Sequence, residues 1–201
     1  MLCLVRFMVY SYEMKCPECL ERIHDHAEEC PHCGMTLERL NPCYEGIKLE
    51  VNEGVHDIAG VLSLEMLKQM RTAVMECEKQ FVGVSVAVSF VALKEAQTLE
   101  GYGFWLLNSG GFYKGRVWQS GLEDGRGRVI LVVDVESKRA ALSYGYYFDG
   151  YVRKKESFNV LSTGHASLLE GNLAVGCEQI LIALKGLLKK AVIRSRKGGR
   201  K

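Results

Sequence analysis

Two pairs of cysteines near the N-terminus constrain this chain more than any other feature. They read Cys16-Pro-Glu-Cys19 and Cys30-Pro-His-Cys33-Gly34, a C-x2-C-x10-C-x2-C arrangement. Each pair sets two thiolates on one tight turn, and two such turns close a tetrahedron of sulfurs around Zn²⁺. The segment is too short to bury a core, so ligation has to supply its folding free energy. Cys16, Cys19, Cys30 and Cys33 are therefore the expected ligands of a structural zinc, in a ribbon spanning residues 15–40. His24, His26 and His32 lie in or beside it, but four cysteines already fill the shell, so these histidines read as solvated or supporting. Residues 16–22 also match C-x5-R, a thiolate phosphatase loop. That reading fails because Pro-Glu-Cys-Leu-Glu offers no glycines whose N–H groups wrap a phosphate.

Eight cysteines in 201 residues are too sparse for a disulfide scaffold. Cys77 and Cys177 fall on apolar helix faces and read as core; Cys3 and Cys43 have no partner by spacing. The longest stretch without a charge, residues 80–93, is shorter than the ~20 residues a spanning helix needs, so no transmembrane segment is expected. The opening MLCLVRFMVYSYEMK has Arg6 inside its apolar part and no small-residue cleavage site. Residues 1–14 read as a leader-like stretch or a mis-assigned start, with Met14 as the alternative first residue, and the expected environment is cytoplasmic and reducing. Residues 185–201 hold eight of the 26 basic residues and no acid, leaving 18 bases against 24 acids, a net −6, elsewhere. A basic tail over 194–201 follows. It reads either as solvated or as a contact to nucleic acid or anionic lipid.

The longer part of the chain has mixed periodicity. Residues 41–52 read as a linker. Ser63 is a helix N-cap, and Leu67, Met70, Val74, Cys77 and Phe81 recur at intervals of three and four, one apolar stripe. The uncharged valine-rich run 82–93 reads as a strand buried on both faces, and 97–108 as a helix. Residues 109–128 hold six glycines with Trp118, Glu123 and Asp124 and read as a long loop of the kind that carries function. A second buried strand over 129–135 turns at Glu136 and Ser137 into a hairpin strand over 138–144. Two helices close the chain, the last with an amphipathic stripe from Leu173 to Ala191. This order predicts an α/β fold: a mixed-sheet α/β/α sandwich behind a small N-terminal zinc ribbon.

The segment Val55-His-Asp57-Ile-Ala59-Gly60-Val-Leu62-Ser63 resembles the opening signature of the TPM domain family, named for thylakoid-lumen phosphatase-like proteins and their bacterial relatives. The order that follows, including VILVVDVESKRAALSYGYYFDG and the closing helices, resembles that family over residues 53–188. The resemblance implies an acidic site at one end of the sheet, Ca²⁺ or Mg²⁺ as a cofactor beside the structural Zn²⁺, weak acid phosphatase activity as described for plant members, and roles in maintaining membrane complexes. Carried over by position, Asp57 and Asp124 are the candidate divalent-cation ligands, Asp149 is a further carboxylate that could supply oxygen, and Gly145, Tyr146 and Lys154 form the site rim. Tyr147 stands where relatives have a second glycine, and Arg153-Lys154 where they have Thr-Asp. A cation in place of a carboxylate weakens a calcium site, which wants several carboxylate oxygens.

Alternatives stand beside these readings. Asp57 is also readable as a helix-leading carboxylate bonded to backbone, and Glu123, Asp124 and Asp149 as solvated loop acids. Asp134, inside an apolar strand, needs a partner, with Lys138 or Arg139 expected across the hairpin. Tyr144, Tyr146, Tyr147 and Tyr151 read as packing, and His165 as a lone surface histidine. No P-loop or nucleophile elbow occurs. The expected function is a non-catalytic zinc-ribbon and α/β binding or scaffold protein with an unidentified protein partner, responsive to a divalent cation and acting in maintenance of a protein or membrane-associated complex. The alternative is a metal-dependent, acid-phosphatase-like phosphate-ester hydrolase in which Asp57 and Asp124 hold the ion.

Overall fold

The computed structural model describes residues 13–16, 18–19, 21–24, 27–44, 54–94, 97–108, 127–148 and 150–198. Its centre is a four-stranded sheet of β3 (Val55–Asp57), β4 (Ser85–Val91), β5 (Arg128–Asp134) and β6 (Arg139–Tyr144), in that order. The first three strands run parallel and β6 runs antiparallel to β5. Two short antiparallel strands, β1 (Glu13–Lys15) and β2 (Arg22–His24), precede it.

The side-chain alternation of β4 and β5 divides the core. Val86, Val88, Phe90, Val129, Leu131 and Val133 face one way; Ala87, Val91, Ile130 and Val132 face the other. Every residue of β4 is buried, which is why the run lacks the polar alternation of a half-exposed strand. On the first face lie α2 (Leu64–Glu78), α4 (Lys154–Ser162), α5 (His165–Leu169) and the long α6 (Leu173–Gly198). On the second lie α1 (Leu37–Tyr44) and α3 (Leu99–Asn108). The α/β/α sandwich expected from the element order is the observed fold.

Local signals place the helices. The Ser63 hydroxyl accepts from the Met66 N–H at 3.2 Å and starts α2, and Met70, Val74 and Cys77 of its stripe are buried. α3 forms despite Gly101 and Gly103 because both lie against neighbours. A Cβ on Gly103 would stand 2.0 Å from Ser143 Oγ on β6, so the absent side chain lets the helix sit down on the strand. Burial pushes the Cys77 and Cys177 thiols up to about 12, consistent with core residues rather than reactive ones.

Four expectations need correction. Residues 41–44, expected to begin the linker, belong to α1, whose Leu40 and Tyr44 are buried. A short strand, β3, occupies Val55–Asp57, too brief to show a period. The last part of the chain holds three helices rather than two, because Gly164 and Gly171 interrupt the helical run; Gly171 has φ +84, which a helix does not accommodate. The basic tail is not a tail at 194–198, where α6 continues to Gly198. Among the described residues no helix is long and apolar enough to cross a membrane.

Candidate metal centre

The four predicted cysteines converge. Their sulfurs all lie within 4.8 Å of one another. Cys16 Sγ is 3.6 Å from Cys33 Sγ, and Cys19 Sγ is 3.7 Å from Cys30 Sγ. These separations are far beyond a disulfide bond. A regular tetrahedron with Zn–S bonds of ~2.3 Å has edges of ~3.8 Å, so the cage matches a thiophilic tetrahedral cation such as Zn²⁺. The turns that build it are tight: Cys16 N–H donates to Glu21 O, Cys30 N–H to Met35 O and Gly34 N–H to Cys30 O, each at 2.9 Å. Gly34 has φ +69, a left-handed conformation that glycine accepts at little cost. The Arg39 guanidinium donates to Gly34 O at 2.7 Å and ties the second turn to α1. His32 is exposed, and nothing is described for the side chains of His24 and His26.

The thiols feel one another. Desolvation raises Cys30, but N–H groups of Cys33 and His32 and the neighbouring Cys16 thiol outweigh it and bring it to about 6. Desolvation and hydrogen bonds with the other three cysteines drive Cys33 up to about 12. Four thiols in one cage shed their protons unequally because each thiolate opposes the next, and a bound cation removes that opposition.

The cage is not a separate bead. Cys16, Ile23, Cys30 and Met35 join one apolar cluster with Leu40 and Tyr44 of α1 and Leu99, Tyr102 and Trp105 of α3. Trp105 Nε1–H donates to Asn41 Oδ1 at 2.9 Å. The Tyr44 ring lies 5.4 Å from Tyr102 and 5.2 Å from Trp105, and Gln97 Nε2 donates to Cys43 O. The metal module thus sits on the α3 face of the sheet. Beneath it runs a buried polar chain that the sequence reading missed. His56 Nδ1 lies 3.2 Å from Ser89 Oγ, which lies 3.1 Å from the Tyr102 hydroxyl. The available signal was a polar residue beside apolar neighbours, His56 on β3 and Ser89 on β4.

Of the three acidic candidates, Asp57 alone lies among the described residues. Asp57 ends β3, opposite Phe90, which pairs with Val133 near the C-terminal end of β5. Gly145 follows β6, and its N–H donates to Arg128 O at the opposite end of β5, at 2.7 Å. Five residue steps of strand from Arg128 to Val133 set these points ~17 Å apart along the sheet. Asp57 and Gly145 therefore lie at opposite ends of the sheet. Both Asp57 oxygens accept backbone N–H groups, Oδ1 from Val61 at 3.1 Å and Oδ2 from Leu62 at 2.8 Å, which organises the turn into α2. Lys154 is exposed at the start of α4. Asp124 and Asp149 lie outside the described residues, as does the side chain of Tyr146.

Asp134, 2% exposed, is held differently from expectation. Its Oδ1 accepts from Leu93 N–H and Glu136 N–H, both at 3.3 Å, and its Oδ2 from the Ser137 hydroxyl. Neither Lys138 nor Arg139 is its partner: Lys138 Nζ donates to Leu169 O at 3.2 Å and Arg139 Nε to Ser137 Oγ at 3.0 Å. Beside it, Val61, Val133, Lys138, Leu168 and Leu173 line a cleft of about 250 Å³ at the C-terminal edge of the parallel strands. Tyr144 and Tyr147 pack as expected. The Tyr144 hydroxyl accepts from Ser157 Oγ at 3.1 Å, the Tyr147 hydroxyl lies 3.0 Å from Ser195 Oγ, and both rings lie edge-on to Phe148.

No protein-family model and no curated protein matches the chain. Solved structures do. The solution structure of the N-terminal domain of the cg2496 protein from Corynebacterium glutamicum aligns with a TM-score of 0.50 at 13% identity, over 67% of this chain and 79% of that one. The solution structure of the N-terminal domain of a protein from P. gingivalis aligns with a TM-score of 0.50 at 20% identity, over 68% and 82%. At such identities the likeness establishes the fold: the chain is an α/β sandwich of the same kind as these two N-terminal domains, carrying a four-cysteine cage on one face.

Proposed function

We propose that the protein is a non-catalytic binding or scaffold protein in which a zinc-clamped module is fixed onto a TPM-like α/β body and presents a docking surface to a protein partner, in maintenance of a protein or membrane-associated complex. The observation that carries this reading is the four-sulfur cage, of the right size for Zn²⁺ and continuous with the apolar contacts of α1 and α3. Metal at that position does structural work: it organises residues 15–40 and, through α1, the outer surface of the α3 layer. The hydrolase alternative, in which Asp57 and Asp124 hold an ion, is the second reading; the two backbone N–H groups that the Asp57 carboxylate already accepts count against it.

The test is metal content and its consequence. Chain purified in mild buffer is expected to carry about one zinc. Chelation is expected to change the fluorescence of Trp105 and melt the module while far-UV signal from α2 and α6 persists. Absence of zinc or iron after such purification sinks the metal reading. A partner captured by cross-linking with the loaded chain and lost with Cys30→Ser/Cys33→Ser supports docking through the module; equal capture by both refutes it.

A further inference from the structure

A second surface, on the opposite face from the cysteine cage, has a chemistry of its own. From Lys185 to Gly198 helix α6 carries Lys185, Lys189, Lys190, Arg194, Arg196 and Lys197 and no acidic residue. Arg194 faces α4: its guanidinium grips Glu156 with two hydrogen bonds of 2.8 Å and donates to Tyr151 O at 2.8 Å. This fork pins the first turn of α4 against the last turns of α6. Lys190 and Lys197 lie four residues before and three after Arg194, on its side of the helix. Arg153, Lys154 and Lys155 open α4 at the same end of the molecule, and all three are exposed.

Fold stability accounts for Arg194, through Glu156, but not for all of these cations. Arg196 and Lys197 suit the negative end of the α6 dipole, but Arg153, Lys154 and Lys155 stand at the positive end of the α4 dipole, where basic residues are disfavoured. Large apolar side chains are exposed among them. Phe158, one turn beyond Lys154 and Lys155, is 68% exposed, and Ile193, between Lys190 and Lys197, is 45% exposed. Ile182, on the same outer side of α6, is 67% exposed. Cations flanking outward-facing Phe and Ile match a lipid interface, where the charges meet anionic headgroups and the apolar groups enter the acyl boundary. Single-stranded nucleic acid would instead favour aromatic groups arranged to stack on successive bases, and a duplex would need only the cations, leaving the outward Phe158 and Ile193 without a role.

We infer that the α4 N-terminal turn and the C-terminal half of α6 form a peripheral docking surface for an anionic lipid bilayer. The protein lies on the membrane rather than in it. The surface goes beyond the proposed metal-organised module and does not depend on it, since α4 and α6 pack on the other side of the sheet.

The test is sedimentation of the full metal-loaded chain with vesicles of phosphatidylcholine alone and of phosphatidylcholine with 30% phosphatidylserine. Binding is expected only to the second, weakening steeply with salt. Each lysine near such a surface is worth about fivefold in partitioning. Lys154→Gln/Lys155→Gln is therefore expected to lose about 25-fold, and the further Lys190→Gln/Lys197→Gln to abolish binding; arginine at the same four positions restores it. Phe158→Ser/Ile193→Ser is expected to weaken binding with the cations intact. Circular dichroism checks that each variant is folded. No sedimentation with phosphatidylserine vesicles, equal binding to neutral vesicles, or no effect of the four-lysine variant overturns the inference. So does unchanged binding by the folded Phe158 and Ile193 variant together with tighter binding to duplex RNA or DNA.

Discussion

Gly103 allows the packing of α3 to be tested quantitatively. It lies inside a helix, so alanine should raise helix propensity by about 1 kcal/mol. The structure says otherwise: the new Cβ would sit 2.0 Å from Ser143 Oγ and 3.0 Å from Ser143 Cβ on β6. The hydroxyl can rotate away, but the Cβ moves only if helix or strand moves, an overpacking that costs about 1–3 kcal/mol. The net expectation for Gly103→Ala is a loss of about 1 kcal/mol. In a Ser143→Gly background the nearest remaining atom is Val132 Cγ2 at 3.6 Å, an ordinary contact. There the same substitution should be neutral or stabilising. Urea unfolding of the four chains of this cycle should give a coupling of about 2 kcal/mol. With a slope of about 2 kcal/mol/M, the effect of Gly103→Ala on the midpoint should differ by about 1 M urea between backgrounds. Equal stabilisation by Gly103→Ala in both would show that α3 does not rest on β6 as described, and the seat of α1 and the metal module would go with it.

Two further outcomes follow from buried or paired acids. Asp134→Ala removes the acceptor of two backbone N–H groups and a hydroxyl and should cost about 2–4 kcal/mol, against about 1 kcal/mol for Asp134→Asn, read by thermal unfolding; equal mild effects would refute the bonding described. The Arg194 hydrogen bonds bring Glu156 down to about 2, below its unfolded value of about 4.3. A depressed carboxyl stabilises above the unfolded value and loses that contribution as pH falls toward the folded one. Stability should therefore drop between about pH 4.3 and pH 2 by about 1 kcal/mol once solvent screening is allowed for. Glu156→Gln should flatten that limb; an unchanged acid limb in the variant would count against the pair.

Much of the architecture was legible because its signals are local. The four-cysteine cage needs only two turns with two cysteines each, and each C-x2-C pair is visible in a stretch of four residues. β4 and β5 were visible as uncharged valine-rich runs, and α2 by Ser63 and its stripe. Arg194 illustrates the opposite case: read in sequence it is one cation of a basic tail, yet across 38 residues it is the partner of Glu156. Nothing in the local pattern distinguishes it from Lys190, because the pairing depends on where α4 returns. Asp134 misled for a related reason. A buried carboxylate needs partners, and nearby cations were the obvious ones, but turn N–H groups of Leu93 and Glu136 lay closer and required no long side chain to be ordered.

The acidic rim marks the boundary most clearly. Sequence by itself determined that Gly145 follows a strand and that a turn at Glu136 and Ser137 folds this strand back on β5, whereas β3, which Asp57 ends, left no periodic signal. Only the assembled sheet decided their separation. A crossover through α2 makes β3 parallel to β4, so its end lies at the C-terminal edge; the tight turn makes β6 antiparallel, so its end returns to where β5 began. Strand direction is a property of pairing between distant segments, and side chains close in a family-level pattern can thus end at opposite edges of one sheet. The same long-range pairing placed the cysteine module on the α3 face and the basic helix ends on the other, a division written in no single stretch of the chain.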